Sequence, residues 1–259
     1  MICAREWWDY REAAMQLAWR EIRVRFKQSF LGLAWSIIQP VSLMVLFTII
    51  FTILMKVPSE NYPYPIFLYS ALLPWGLFST GLIRATGSIV NNSGLIQKIY
   101  IPREIFIVVS LAPPVADFLV SAVVYAGLMA WFHVAPTWQI LWVFPLLIAE
   151  ILLILGIGIC LATFNAFYRD AGSALGLLVQ LWFFATPVFY PLASVSARLM
   201  PFYRLNPAVG IMDGFRNVLL KGVPPDAALM AISLAWTVFL LLGGLLLFRR
   251  AEGYFADVL

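Results

Sequence analysis

Apolar positions in this chain fall in long unbroken runs separated by short polar breaks. The runs cover residues 31–55, 64–90, 105–132, 138–164, 173–190 and 228–248. Each is near the ~20 residues that a helix needs to cross the hydrocarbon core of a bilayer, with room for tilt in the longer ones. A membrane barrel would alternate apolar and polar residues over segments of ~10, and these runs do not alternate. Helices satisfy their own backbone hydrogen bonds in lipid. The pattern therefore predicts an all-α integral membrane protein with six transmembrane helices.

Two stretches break the pattern. In the leader, residues 1–30, Trp8, Met15, Trp19, Ile22 and Phe26 recur at helical spacing, with Arg20, Arg23 and Lys27 on the adjoining face and Arg25 close by. This predicts an amphipathic helix lying in the membrane interface, aromatic side among acyl chains and cations on lipid phosphates. The residues leave open whether it is an anchor or a dock for a partner. The second exception is 191–227, which holds Arg198, Arg204, Arg216 and Lys221, while its apolar pieces, 209–218 among them, are too short to cross. A pair of short re-entrant or interfacial helices before the last span fits, because non-spanning backbone at membrane depth is tolerated under a cover of protein or a water cavity.

Composition agrees with this reading and narrows it. Of 259 residues, 63% are hydrophobic and only 12% charged, against roughly one-quarter charged in a soluble domain; the mean hydropathy is +0.91. Six crossings use nearly the whole chain, so residues 1–259 read as one transmembrane domain with no room for a soluble catalytic domain of ~100 residues. The leader lacks the apolar core and small-residue cleavage site of a signal peptide. Cys3 and Cys160 lie in unlike environments, polar leader and apolar run, and make no disulfide framework. The net charge of +4 sits at the edges of apolar runs, which points to anionic lipid and away from nucleic acid. With the N-terminus in the cytoplasm, the inner side carries the leader's cations plus Lys98, Arg103, Arg169, Arg249 and Arg250, while the early outer loops carry only Lys56 and His133. By the positive-inside rule both termini are cytoplasmic.

Few residues in the spans carry chemistry. Asp117 and Glu150 lie deep in their runs and Arg84 nearer the cytoplasmic end of its own; ionisable groups at such depth face a partner or a water-filled cavity. Pairing with Arg84 and a proton or ion relay both remain open, although a relay calls for a longer chain of carboxylates. Residues 91–104 form a short polar element that is a plain loop or a force-transmitting turn ending before Pro102. Aromatic residues make up 15% of the chain. Most should form headgroup-level belts, and some could line a conduit. There is no G-x-x-x-x-G-K-[S/T] phosphate loop, no G-x-G-x-x-G turn and no H-E-x-x-H, and the single His makes a metal centre unsupported. Any energy source must be external.

Three stretches together resemble the membrane subunit of the type-2 ABC exporters, in particular the bacterial polysaccharide-export group that moves lipid-linked O-antigen, capsule and teichoic-acid chains. They are the basic entry to the first span, Trp19 to Trp35 with Gln39-Pro40; the element Leu95 to Glu104; and Asn165-Ala166-Phe167-Tyr168-Arg169-Asp170 followed by Pro187-Val188-Phe189-Tyr190-Pro191 and Leu205-Asn206-Pro207. The resemblance implies a homodimer of six-span subunits in the bacterial inner membrane, served by two cytoplasmic ATP-binding cassette subunits that hold the ATP and Mg, with no cofactor on this chain. It also implies that Arg20, Arg23, Arg25 and Lys27 of the leader and Leu95, Ile96, Lys98, Tyr100, Arg103 and Glu104 couple to the ATPase. Residues 191–227 then form the external gate, and Trp75, Trp182, Phe189, Tyr190, Tyr203, Arg204 and Asn206 are candidates for conduit or gate. The expected function is export of a lipid-linked polysaccharide. Its rivals are export of small lipophilic drugs or signals by the same architecture, a membrane-embedded enzyme using Asp117 or Glu150 as acid or base on lipid-linked sugars, and an ion-coupled transporter, which would show inverted repeats that this sequence lacks.

Overall fold

A computed structural model describes residues 8–27, 32–54, 59, 61–98, 101–168 and 170–253. Among these residues every regular element is helical. Helix α1 (Arg11–Lys27) is the leader. It is followed by α2 (Trp35–Thr48), which continues as a wider π turn over Ile49–Leu54, and by α3 (Tyr64–Asn91). A single turn, α4 (Ser93–Ile96), leads to α5 (Glu104–Val109) and α6 (Ala112–Trp131). Then come α7 (Val143–Phe167), α8 (Asp170–Phe184), the short α9 (Met200–Leu205), α10 (Pro207–Arg216) with a π turn at Asn217–Lys221, and α11 (Ala227–Glu252).

Among the described residues five stretches are long and apolar enough to cross a membrane: Trp35–Thr52, Tyr64–Asn91, Glu104–Trp131, Trp138–Phe167 and Ala227–Glu252. They match five of the six expected runs. The remaining run, 173–190, yields only α8, whose 15 residues reach about 22 Å, short of the ~30 Å hydrocarbon core. Pro187 explains the early stop, since a proline disfavours helix at the residue before it. The run 105–132 is also divided, between α5 and α6. Pro113 and Pro114 stand in the first turn of α6, where missing amides are tolerated, and bring no N–H to continue a helix arriving from α5.

The core forms around α3, which has the largest buried share of any candidate span and packs against α2, α6, α7 and α8. Its partner α7 lies in turn against α11. That second contact is close because Gly156 leaves room: a Cβ there would meet the Leu241 backbone nitrogen at 2.9 Å. Helix association in lipid depends on such small residues, since lipid tails are as apolar as leucine and packing must supply the gain. Outward-facing Leu119, Val123, Phe144, Ile148, Phe239 and Leu246 remain exposed on the bare protein, as lipid-facing positions should.

Helix α1 packs across the start of α6 and against α5, which fixes one face of the molecule, called here the leader face. The α3–α5 connection, the α7–α8 turn and the end of α11 share that face. Asn165 of α7 donates to the Thr86 carbonyl and accepts from the Gly172 amide, and Arg103 donates to the backbone oxygen of Glu252. At the opposite face, Asn61, His133, Thr137 and Gly222 line one pocket. The stretch expected to hold two short helices forms α9, which is largely exposed, and α10, buried along its length. Neither is long enough to cross.

Candidate functional site

The leader face is organised by ion pairs between α1 and the spans. Arg20 donates to Asn92 Oδ1 at 2.8 Å and to Glu21 Oε1 at 3.1 Å. Glu21 in turn lies 3.7 Å from Arg84 of α3. One turn further along α1, Arg25 pairs with Asp117 of α6, and Ser36 of α2 donates to the other Asp117 oxygen at 2.5 Å. Helical spacing produces this arrangement, because positions 21 and 25 lie on the same side of α1. Arg84 and Asp117 are thus each paired directly with a charge on the leader helix, while Asp117 also attracts the Arg84 charge through space. Arg23 points away, 6.0 Å from the Trp19 ring, with Trp8, Met15 and Trp19 exposed. The Lys27 side chain and Tyr100 lie outside the described residues.

The 91–104 element splits into a packed part and an open part. Leu95 and Ile96 are half-buried against the core, Lys98 is exposed, and Glu104 is buried at the start of α5. Arg103 ties this element to the end of α11. Of the expected coupling residues, Lys98 and Arg23 therefore face outward, Arg20, Arg25 and Arg103 are bonded within the chain, and Glu104 is buried.

Toward the opposite face, aromatic rings from α2, α3 and the 182–203 stretch form a continuous cluster. Phe189 stacks on Phe51 at 5.0 Å, Phe183 lies 5.4 Å from Trp75, and Trp182 meets Phe78 edge-on at 5.1 Å. Tyr190 and Tyr203 share a hydrogen bond of 2.6 Å. Asn206 fastens the end of α8 to the start of α10: its Oδ1 accepts from Trp182 Nε1 at 2.9 Å and from the Ala208 amide at 3.1 Å, and its Nδ2 donates to Ala185 and Thr186. An asparagine cap followed by Pro207 at the first helical position is a strong helix start. Arg204 is exposed.

The sequence reading missed the polar centre of this half. Arg216 is 1% exposed. Its guanidinium carbon lies 4.2 Å from the Phe67 ring centroid, and it donates to the Val188 carbonyl at 2.6 Å and toward that of Tyr190 at 3.4 Å. A cation inside the apolar stretch 209–220 was the available signal, since such a group requires a partner. Glu150 is the reverse case: it is fully buried on α7, with the Phe78 backbone as a weak polar neighbour and no hydrogen bond of ordinary geometry to either carboxyl oxygen among the described residues. No group of three or more His, Cys, Asp or Glu gathers as a metal site among the described residues.

Long apolar helices, a leader helix clamped to them by charge and a proline-bounded buried helix before the last span describe a multi-pass membrane protein. The ABC-2 type transporter model matches residues 12–220, and the chain belongs to that family. It is 30% identical over 257 residues to the O-antigen export system permease protein RfbA of Myxococcus xanthus, covering 98% of this chain and 97% of that one. It is 26% identical over 241 residues to the protein of the same name from Klebsiella pneumoniae, with 93% and 92% covered. To the polysialic acid transport protein KpsM of Escherichia coli it is 26% identical over 240 residues, with 90% and 91% covered.

Proposed function

We propose that this chain is the transmembrane subunit of an ATP-driven exporter that moves a lipid-linked polysaccharide across the bacterial cytoplasmic membrane. The observation that carries the reading is the near end-to-end similarity to permeases named for O-antigen export and polysialic acid transport, on a chain whose leader is charge-clamped to its spans. Two copies of the chain form the conduit, and two cytoplasmic ATP-binding cassette subunits bind ATP and Mg and drive it. The leader face is cytoplasmic in this reading, since it gathers Arg20, Arg23, Arg25, Lys98, Arg103, Arg249 and Arg250. Helix α8 with the 185–190 segment completes a sixth span, and α9 and α10 form the external gate, re-entering from outside.

Mechanically, closure of the ATPases pushes on α1 and on the exposed Lys98 turn. The Glu21–Arg84 pair and the Arg20–Asn92 bond pass that displacement to α3, because charge-assisted contacts of preferred geometry resist sliding. The free energy comes from the difference in affinity of the two permease states for the ATP-bound partner. The flat rings of the 182–203 cluster suit sugar C–H surfaces without gripping any one sugar.

Reconstitution with the cassette subunit in proteoliposomes tests the reading. Lipid-linked glycan should stimulate ATP hydrolysis, and lipophilic dyes should not. Stimulation by dyes alone would move the chain to the lipophilic-drug class, and glycan turnover without any ATPase would make it an enzyme. Lys98→Glu with Arg103→Glu, folded by size-exclusion profile, should hydrolyse ATP without export.

A further inference from the structure

A cavity of about 370 Å³ opens among α1, α2, α3, α6 and α8. Its apolar walls come from residues such as Leu43, Phe47, Leu72 and Phe183, and its polar end from Arg25, Ser36, Gln39 and Asp117. The volume suits a small-molecule site, enough for a headgroup and the first part of a chain but not for a whole long-chain lipid. An apolar trough ending on a guanidinium matches one kind of ligand: a lipid whose head carries phosphate, the planar fork of arginine being suited to bidentate phosphate contact.

Two features make this end a switch as well as a site. Asp117 also accepts from Ser36 Oγ, so its carboxylate keeps a hydrogen bond if Arg25 leaves it. The surrounding cluster sets the guanidinium groups of Arg20, Arg25 and Arg84 against the carboxylates of Glu21 and Asp117. It therefore retains a surplus positive charge for an incoming anion. Arg25 lies in the last turn of α1, while Arg20 and Glu21 hold the preceding turn to Asn92 and Arg84. We propose that the Arg25–Asp117 pair is a phosphate-operated latch: a phosphate-headed lipid in this cavity takes Arg25 from Asp117, freeing the end of α1 from α6 while its middle stays on α3, and so reports cargo to the ATPase side. The cargo lipid as physiological occupant rests on the exporter reading above.

The test uses the complete complex with its ATPase in nanodiscs, with undecaprenyl diphosphate, undecaprenol and inorganic diphosphate as probes. Binding is followed by native mass spectrometry and response by ATP hydrolysis. Undecaprenyl diphosphate should bind and stimulate, while undecaprenol and inorganic diphosphate should do neither well. Arg25→Gln should weaken binding of the diphosphate lipid roughly ten- to a hundredfold, the range for losing a charged hydrogen-bond partner, and Arg25→Lys should lie between. Asp117→Asn should bind it more tightly and raise basal hydrolysis without lipid. Replacing phosphatidylcholine by phosphatidylglycerol distinguishes the source of the phosphate. An Arg25-dependent response to phosphatidylglycerol alone keeps the latch and makes a glycerolipid its occupant. Undecaprenol binding as well as the diphosphate, or folded Arg25→Gln and Asp117→Asn complexes that respond like the parent, would overturn the latch. In the latter case continued export would leave the exporter reading standing, whereas a parent complex that never responds to lipid-linked glycan would remove that reading itself.

Discussion

Replacing Arg216 with alanine should be among the most damaging single changes in the chain, and the structure allows the loss to be worked out. The Val188 carbonyl accepts a charged hydrogen bond at 2.6 Å, worth about 1.5–3 kcal/mol. The contact to Tyr190 at 3.4 Å is long and adds well under ~1 kcal/mol. The guanidinium over Phe67 at 4.2 Å adds about 2 kcal/mol for a desolvated cation–π pair. Neighbouring terms do not add fully, so the expected loss is about 3–5 kcal/mol. Part of it is the cost of leaving the Val188 carbonyl without its donor in an apolar interior.

The measurement is equilibrium unfolding of the purified chain in mixed micelles, titrated with SDS and followed by tryptophan fluorescence. Arg216→Lys keeps the charge but loses the fork, and should recover only about half the stability. Phe67→Leu keeps the hydrogen bond to Val188 and should lose the ~2 kcal/mol ring contribution. If Arg216→Ala unfolds at the parent's midpoint, or Arg216→Lys is indistinguishable from the parent, the guanidinium does not organise this half of the molecule and the reasoning fails.

Glu150→Leu should stabilise the chain by about 1–3 kcal/mol in the same titration, because it removes a buried carboxyl whose oxygens make no hydrogen bond of ordinary geometry among the described residues; a loss of stability would mean that its contact with the Phe78 backbone is a full hydrogen bond in the folded protein. Gly210→Ala should destabilise by about 1–3 kcal/mol, since its Cβ would stand 2.5 Å from both the Leu229 carbonyl oxygen and Ser233 Oγ, whereas Gly176→Ala, with open space around it, should be neutral or slightly stabilising; equal midpoints for the two would refute the α10–α11 contact. Glu21→Gln should cost about 1 kcal/mol of stability, because its 3.7 Å pair with Arg84 and its 3.1 Å contact from Arg20 are both partly exposed, yet should lower transport coupling more than it lowers stability, read as ATP hydrolysed per glycan exported.

The five long helices were legible because each is a run of apolar residues that needs no partner to be recognised. Breaks within runs were less so. Hydropathy averages over Pro113-Pro114 and over Thr186-Pro187, although in both places the missing amide of proline decides where a helix begins or ends. The partners of the buried charges were out of reach. Pairing of Asp117 or Glu150 with Arg84 and a relay were left open by the sequence; the closest partners of Arg84 and Asp117 are Glu21 and Arg25 of the leader, a choice fixed by where α1 lies across the bundle. Arg216 was hidden by its company: it was one of four cations in 191–227, a stretch expected to hold short re-entrant or interfacial helices, and nothing in the pattern singled it out as the one buried at the polar centre of that half. Asn206-Pro207 could be read as a helix start, while its bond to Trp182 exists only after α8 and α10 meet.

The directional contacts are unevenly placed, and this bears on how the molecule moves. On the leader face, charge ties α1 to α3 through Arg84 and Asn92. Some 25 Å away along the same helix, Tyr64 donates to the Phe189 carbonyl and Phe67 receives Arg216. Between those ends α3 meets its neighbours mainly through apolar side chains, and apolar contact is non-directional. A helix so buried displaces its neighbours when it shifts, because close-packed interiors transmit strain. In the export reading, a push on α1 would therefore be delivered through α3 to the 188–190 segment and α10, the elements whose opening that reading requires, across a middle whose contacts are mainly apolar.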